Sequence, residues 1–409
     1  MHNMSNAAAL PKLVAFERNI QFPLIHPEVF SGVQALLDRG VQDGTFPGCT
    51  LVVGLRGREI LKAAAGMRFN KLDRGDTQSP MTIDTVFDVA ALTNILVTTT
   101  LAMKLLEAGK LRLQDRISRY INNFGVAGKS AITVEQLLNH TSGLTPWHPF
   151  FEELLQQNVA LRMGIMTSRG AREYVLNSIN RSQLRYAPGS RQVYSDVGVI
   201  VLGYLVEAIT GLSLDKAANR FVFQPLGMRT SSYVDLALIR RRGIHPVRDL
   251  IAPTEECSWR QRVLCGEVHD DNAWAMGGIA GHSGVFSTAR DVHLFAAELL
   301  QAYQGRSTYL RQDTVRGFWR HEAAFADSAW RLGWDSASKE NGLSDSRLSA
   351  QAVGINGFTG CSLWIEPELG LDIILMSNRV HPSRANKKIR TFRPELINAV
   401  LEAVSKLSL

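Results

Sequence analysis

The 409-residue sequence predicts a mixed α/β fold of the α+β kind, with one antiparallel sheet built from N- and C-terminal segments. Two apolar runs of β type surround a turn between residues 49 and 65, and a second such pair lies between residues 362 and 376. Between these pairs the apolar periodicity is mostly helical. We therefore expect a sheet flanked by helices, with a large helical insertion.

The N-terminal part of the sheet is predicted from two neighbouring patterns. Residues 27–44 carry apolar side chains at helical spacing, which predicts a covering helix. Residues 49–54 and 59–65 are separated by Arg56-Gly57-Arg58, and short β-type runs around a glycine-containing turn indicate a hairpin.

The C-terminal part repeats this arrangement in reverse order. Residues 362–365 and 371–376 flank a turn-rich connection and predict a second hairpin. Residues 393–407 have apolar side chains on one helical face, so we expect an amphipathic closing helix. We divide the chain into a split α/β sheet region, a mainly helical inserted region and an N-terminal extension, which are residues 27–84 plus 285–409, residues 85–284 and residues 1–26.

The segment before residue 26 has no apolar stretch of the length that a secretory signal needs. The longest apolar run, residues 197–206, has only ten residues and is too short to span a bilayer. We therefore expect a cytoplasmic protein that does not bind membranes.

The charges and cysteines exclude several function classes. There are 45 Lys and Arg against 38 Asp and Glu, a net charge of +7, with basic clusters at residues 240–242 and 384–393. Neither cluster has a recognisable nucleic-acid-binding motif with repeated aromatic residues, so both are interpreted as solvated faces and no nucleic-acid partner is expected. The four cysteines show no CxxC spacing, which argues against a zinc or redox motif. His269, Asp270 and Asp271 are adjacent and are not expected to converge on a metal, so we expect no metal and no cofactor.

A series of short motifs then gives the sequence a family resemblance. They are Val86 to Ile95, Asn139-His140-Thr141-Ser142-Gly143, Tyr194-Ser195-Asp196, Pro225-Leu226-Gly227-Met228, Gly281 to Ala289 and Gly357-Phe358-Thr359-Gly360. In this order and spacing, over about residues 30 to 405, the chain resembles the serine β-lactamase and DD-peptidase superfamily, in its class C β-lactamase-like branch. The resemblance implies a β-lactamase/transpeptidase-like fold and the chemistry of a serine hydrolase.

Acylation in this family requires a serine at the N-terminus of a helix and a lysine three residues later, on the same helix face. The resemblance aligns these positions with Ala91 and Asn94. Alanine has no nucleophilic atom, and an amide is not a base at neutral pH. Of the third motif, Lys/His-Thr/Ser-Gly on an inner strand, Ile355 takes the cationic position and only Gly357 is kept, where the missing side chain lets substrate approach the strand backbone.

The resemblance also implies a binding pocket. Its expected lining is Ala91, Asn94, Tyr194, Asp196, His282, Asn356 and Gly357. Tyr194 could pack in the core or act in the pocket, and the motif context favours the pocket. His282 could line the pocket mouth or be satisfied within a glycine-rich turn, and the turn is favoured. His140 is assigned a structural role.

The leading hypothesis is a non-catalytic homologue that binds a small ligand or a protein partner. The alternative is an active hydrolase (esterase, β-lactamase or peptidase type) that uses a displaced serine, or acid-base chemistry of Tyr194, Asp196, Asn94 and His282. Displaced S-x-x-K patterns begin at Ser213 and Ser336, but neither stands at the family position. Thr93 is expected to point away from the face that Ala91 and Asn94 share. Whether the protein is an enzyme stays open at this point.

Overall fold

The computed structural model describes residues 27–69, 79–161, 164–321, 329–338 and 342–407. The predicted N-terminal extension therefore lies outside the described residues. Within them, a five-stranded antiparallel sheet with the strand order β2-β1-β10-β9-β8 combines segments from both ends of the chain, as the sequence predicts. The strands are β1 (Gly48–Leu55), β2 (Arg58–Gly66), β3 (Phe87–Asp88), β4 (Ser232–Tyr233), β5 (Glu256–Cys257), β6 (Arg262–Val263), β7 (Val285–Ser287), β8 (Val353–Asn356), β9 (Ser362–Glu366) and β10 (Leu371–Ser377).

The helices cover this sheet and fill the central region. They are α1 (Ser31–Gln42), α2 (Thr100–Glu107), α3 (Val134–Leu138), α4 (Phe150–Leu161), α5 (Arg169–Arg181), α6 (Asp196–Thr210), α7 (Leu214–Ala218), α8 (Leu236–Arg242), α9 (Asp271–Ala275), α10 (Ala289–Tyr303), α11 (Gln312–Trp319) and α12 (Ile389–Ser405). Short 3-10 helices occur at Pro27–Phe30, Ile117–Arg119 and Arg248–Leu250, and π-helices at Asn94–Thr99 and Asn219–Phe223.

The first predicted hairpin is present as β1 and β2. Arg56 and Gly57 connect the strands with φ values of 50° and 78°. Positive φ at both central residues is typical of a tight turn whose twist matches that of the strands. The second predicted hairpin is β9 and β10, and β10 pairs with β1 from Cys49↔Ser377 to Leu55↔Leu371. This pairing joins the two ends of the chain.

Both faces of the sheet are covered, because every residue of β1 is buried. Successive side chains of a strand point to opposite faces. Leu51 and Val53 pack in the cluster that includes residues of α1 and α12, whereas Val52 packs in the larger core with residues of α2 and α10. Burial on both faces explains why these strands have continuous apolar sequences rather than alternating ones.

The closing helix begins earlier than the sequence predicts. Helix α12 starts at Ile389, not at residue 393, and contains Pro394 in its interior. Ile389 and Phe392 are only 3% and 5% exposed. Burial of these two side chains against the sheet stabilises the additional helical turn, which local sequence signals around a proline do not indicate.

The central region is mainly helical, with short strands between its helices. Strand β7 pairs with both β3 and β4, and Phe87 lies opposite Ser287. The beginning of the predicted insertion and the strand that follows it are therefore neighbours. The proposed division into regions stays a prediction. None of the described helices is long and apolar enough to cross a membrane alone, and only the bent pair Asp196–Thr210 and Leu214–Phe223 reaches that length and composition together.

The basic run at residues 384–393 is only partly the solvated face that the sequence predicts. Arg393 is 7% exposed and donates to the carbonyl oxygens of Gly357 and Cys361 at 3.0 and 2.9 Å. Arg384 forms salt bridges with Glu255 and Asp271 at 2.5 and 3.1 Å. Arg393 and Arg384 therefore contribute to the fold. A count of charges in the sequence cannot distinguish such buried or paired arginines from solvated ones.

Candidate functional site

Ala91 stands at the beginning of a helical segment, as the predicted motif position requires. The preceding residue, Ala90, has a φ of 49°, and such a conformation is costly for a residue with a side chain. The buried carboxylate of Asp88 compensates, because its Oδ1 accepts the Ala90 N–H at 2.9 Å and its Oδ2 accepts the His269 N–H at 2.7 Å. Asp88 thus fixes the backbone just before Ala91 and attaches it to the His269 segment.

The side chain of Asn94 is fully engaged by its own surroundings. It is 1% exposed, and its Nδ2 donates to the Gly333 carbonyl at 3.3 Å while its Oδ1 accepts the Thr99 hydroxyl at 3.1 Å. Asn94 also begins a π-helix that extends to Thr99, and such wide turns occur often at functional sites. At the predicted position of the base, the structure therefore has a neutral amide with both of its polar atoms occupied.

The third motif lies at the edge of the main sheet. Strand β8, which contains Ile355, is the last strand in the order, so the expectation of an inner strand is wrong for the described residues. Ile355 is 2% exposed, and the Asn356 Oδ1 accepts the Trp364 indole N–H at 3.1 Å. A Cβ on Gly357 would lie 2.6 Å from the Val89 carbonyl oxygen. The absence of a side chain at Gly357 therefore makes room for the Val89 backbone. The resemblance implies that it makes room for substrate.

Tyr194 combines the two roles that the sequence left open. Its ring stacks on Trp330 with centroids 4.8 Å apart and contacts His140 at 4.7 Å, while its hydroxyl donates to the Asp196 Oδ1 at 2.8 Å. Burial, together with the charge of Asp196, raises the pKa of Tyr194 well above its ordinary value. The phenol is a hydrogen-bond donor held in place by packing.

His282 is not at a pocket mouth, because it is only 3% exposed. Its Nε2 lies 3.0 Å from Asp270 Oδ1, an oxygen that also accepts the Ala273 N–H and so caps α9. Burial alone would lower the pKa of His282, but the charge and the hydrogen bond of Asp270 raise it. Its Nδ1 is buried without a hydrogen-bond partner among the described residues, so only one of the two ring nitrogens is hydrogen-bonded there.

The two carboxyl groups beside His282 have opposite pKa shifts. Burial would raise the pKa of Asp270, but His282 lowers it to about 2. Burial raises the pKa of Asp196, and the charge of Asp270 adds to that effect. One carboxyl group whose pKa is lowered thus lies near one whose pKa is raised, which is a pattern seen in acid–base sites.

Several contacts bring these residues to one place. The Thr98 hydroxyl donates to the Gly281 carbonyl at 2.6 Å, and Thr93 Oγ1 accepts the Val285 N–H at 3.2 Å. These bonds hold the Ala91 helix against the His282 segment. Thr93 is fully buried in this contact, in line with the expectation that it points away from the Ala91 face.

The site is partly accessible to solvent. Ala91, Tyr194, Asp196 and Asn356 are each partly exposed. Two aromatic residues that are about half exposed flank the site. Trp147, 49% exposed, follows Pro146, whose carbonyl accepts the Asp196 N–H at 2.9 Å.

The second of these aromatic residues is Phe358, directly after Gly357, and it is 52% exposed. Its ring stacks on His269, the neighbour of Asp270, at 5.6 Å. A separate cavity of about 320 Å³, lined by Leu55 and Glu368 among others, lies at the opposite end of β10 and does not belong to this site.

The alternative residues are placed elsewhere. The Ser336 hydroxyl donates to the Ala329 carbonyl at 2.8 Å, and Lys339 of the same pattern lies outside the described residues. Ser213 precedes α7 without a side-chain capping bond, and the Leu214 N–H is bound by Glu207. His140 is buried, its Nδ1 accepts the Ser195 N–H at 3.4 Å, and burial lowers its pKa to about 3, which fits a structural role.

His269, Asp270 and Asp271 point to separate partners. His269 pairs with Glu255 at 3.2 Å, and Asp271 pairs with Arg260 at 2.6 Å. Among the described residues no group of three or more His, Cys, Asp or Glu side chains could hold a metal.

Sequence reasoning missed the roles of Asp88, Asp270 and Trp330. Asp270 precedes a short helix at an N-cap position, and this pattern signals a cap. Its contact with His282, twelve residues away, has no local signal. Trp330 has none either, because it reaches Tyr194 only through the tertiary fold.

Comparison with known proteins agrees with this geometry. The model of the Beta-lactamase family matches residues 33–395. A Salmonella enteritidis PT4 (strain P125109) protein named "Putative D-alanyl-D-alanine carboxypeptidase" is 30% identical in an alignment of 376 residues that covers 85% of this chain and 82% of that protein. The hydrolase EstCE1, which has promiscuous acyltransferase activity, shares the fold with a TM-score of 0.66 at 21% identity, over 89% of this chain and 98% of its own.

The octameric penicillin-binding protein homologue from Pyrococcus abyssi also superposes with a TM-score of 0.66, at 15% identity, over 91% of this chain and 77% of that chain. At these identities the two structures establish the fold alone. The family match spans most of the chain. The chain belongs to the Beta-lactamase family.

Proposed function

We propose that this member of the family does not form an acyl-enzyme and instead binds a small ligand in the open site. Acylation needs a nucleophile and a base that act as a unit, and the loss of either one removes most of the rate. Ala91 and Asn94 stand at the positions that the family resemblance assigns to these two groups.

The observation that carries this proposal is the hydrogen bonding of Asn94. A lysine at this position would need a partner for its ammonium group. Here the Gly333 carbonyl and the Thr99 hydroxyl are matched to a neutral amide instead. The Thr99 hydroxyl donates to an amide oxygen that a lysine does not have, so the hydrogen bonding at this position fits asparagine and supports a non-acylating state.

The same site favours an uncharged ligand. Ile355 supplies no cation for a substrate carboxylate, and His282 is already paired with Asp270. Trp147 and Phe358 offer exposed aromatic surface at its rim. We therefore assign to the site a neutral ligand that carries an apolar or aromatic group.

Covalent labelling tests the loss of acylation. Fluorophosphonate and penicillin probes should leave the purified protein unlabelled. The variant Ala91→Ser/Asn94→Lys should recover little hydrolysis while Ile355 is present, because the developing oxyanion and a substrate carboxylate lack a cationic neighbour. The matched variant with Ile355→Lys added should recover more. Stoichiometric labelling of the unmodified protein would refute the proposal.

Ligand charge is tested separately with two related compounds. Methyl phenylacetate should raise the melting temperature, whereas phenylacetate should not, since only a ligand that binds the folded state stabilises it. Phe358→Ser should reduce the ester's effect. A larger stabilisation by the carboxylate than by the ester would contradict the assignment of a neutral ligand.

A second candidate function is hydrolysis or elimination without an acyl-enzyme. The opposite pKa shifts of Asp196 and Asp270 favour it, because such a pair can supply both a proton donor and a proton acceptor. Turnover of a short acyl ester without any labelling, abolished by Tyr194→Phe, would support this candidate over a binding protein.

A further inference from the structure

A surface loop outside the candidate site combines exposed apolar side chains with arginines. We call residues 240–250 the arginine loop; it contains Arg240, Arg241, Arg242 and Arg248 against the single acid Asp249. From the sequence alone, its basic cluster is interpreted as a solvated face. The structure adds a second property to it.

The apolar side chains of the arginine loop do not fold back onto the protein. Ile244, Val247 and Leu250 are 66%, 65% and 56% exposed, and they are three of the four most exposed large apolar residues in the described part of the chain. Single exposed apolar residues are ordinary, but a group of them marks an interaction surface.

The fold holds this loop at both ends. Helix α8 ends at Gly243, whose φ is 66° and whose N–H donates to the Ile239 carbonyl at 2.7 Å. At the other end the Leu250 carbonyl accepts the Val86 N–H at 2.8 Å, and Ile251 is buried. The exposed side chains are therefore presented by a segment attached to the core on either side.

The two basic clusters of the chain differ in this respect. In the C-terminal cluster, Ile389 is 3% exposed and Arg393 is buried, while Arg384 is paired with acids. In the arginine loop, Arg240 donates to the carbonyl oxygens of Gly164 and Met166, whereas the other three arginines and the aliphatic side chains are exposed. Aliphatic residues do not provide the aromatic surfaces on which nucleic-acid bases stack.

We propose that the arginine loop docks this protein peripherally on an anionic lipid surface. The arginines complement the charge of lipid headgroups, and Ile244, Val247 and Leu250 enter the boundary between headgroups and acyl chains. This contact differs from a membrane span, and it revises the expectation that the protein does not bind membranes. A few side chains of this kind give weak and reversible binding.

Co-sedimentation with vesicles tests the proposal with the full chain. The protein should sediment with vesicles that contain phosphatidylglycerol and not with vesicles of phosphatidylcholine alone, and added salt should weaken the binding. Arg241→Gln/Arg242→Gln should weaken it roughly thirty-fold, from the usual contribution of each arginine near an anionic surface. Ile244→Ser/Val247→Ser/Leu250→Ser should weaken it at unchanged charge.

The matched control is Lys387→Gln/Lys388→Gln, which removes the same charge from the other cluster. It should change vesicle binding by less than about three-fold, since that cluster presents no aliphatic side chains to the lipid. An equal loss in the control and in the arginine variant would overturn the proposal, because binding would then follow net charge alone. Retention on DNA without any vesicle binding would also overturn it. All of these substitutions are at exposed positions, and unchanged melting curves will verify the fold.

Discussion

The two walls of the candidate site are built on different principles. The helix wall, Ala91 and Asn94, contains no ionisable group, and the hydrogen bonds of Asn94 are made within the protein. The carboxylate wall, Tyr194, Asp196, Asp270 and His282, keeps three ionisable groups and a buried phenol. The helix wall has no group that gains or loses a proton. The carboxylate wall keeps ionisable groups in a place where burial disfavours their charged forms.

This difference shows which part of the site is maintained for more than packing. A buried ion pair contributes little net stability compared with apolar residues, so its presence is not explained by stability alone. His282 Nδ1 also has no hydrogen-bond partner in the described part of the chain. We therefore propose that binding or proton transfer depends on the carboxylate wall, with the helix wall as a neutral boundary.

The largest expected effect is on the carboxylate wall. Asp270→Asn removes the charge that pairs with the buried His282 and leaves an amide oxygen that can still cap α9, and it should lower the free energy of unfolding by about 3 kcal/mol. Denaturant unfolding at neutral pH measures this. Glu402→Gln, which breaks the exposed pair with Lys406, is the control and should leave the unfolding midpoint unchanged. Equal losses of stability in the two variants would show that the charges of the carboxylate wall contribute no more than surface charges do.

A smaller effect is expected on the helix wall. Asn94→Leu leaves the Gly333 carbonyl and the Thr99 hydroxyl without their partner in a buried place, and it should cost about 2 kcal/mol. The control is the exposed Asn219→Ala, which should change stability by less than about 0.5 kcal/mol. If Asn94→Leu were as stable as the native chain, its amide would not be the structural group that the proposed function requires.

The pKa values of His282 and Asp270 give the smallest but most specific effect. The pKa of His282 should exceed the ordinary value of 6.5 and fall in Asp270→Asn, as measured by NMR titration. Its stabilising contribution is complete below pH 6.5 and is lost as the pH rises through the raised pKa. The contribution of Asp270 is complete above pH 3.8 and is lost as the pH falls through about 2.

The pair should therefore stabilise the fold most between about pH 4 and pH 6.5. A His282 pKa that does not respond to Asp270→Asn would show that the two groups do not interact in solution.

The sequence predicted the sheet and the candidate positions for definite reasons. The hairpin at Arg56-Gly57 follows from local turn chemistry, and the β1 and β10 strands follow from apolar runs, so neighbours along the chain suffice for both. It did not predict the start of α12, where burial of Ile389 outweighs the local signal of Pro394, nor the edge position of β8. Both depend on which elements pack together.

The sequence by itself determined the family, the order of the motifs and the absence of a nucleophilic or basic side chain at Ala91 and Asn94, because these are properties of residue identity. Only the tertiary structure decided that Asp270 raises the pKa of His282, that Gly333 and Thr99 form hydrogen bonds with Asn94, and that Ile244, Val247 and Leu250 face solvent. Hydrogen-bond partners and burial arise between residues far apart in the chain, so they exist only once the chain is folded.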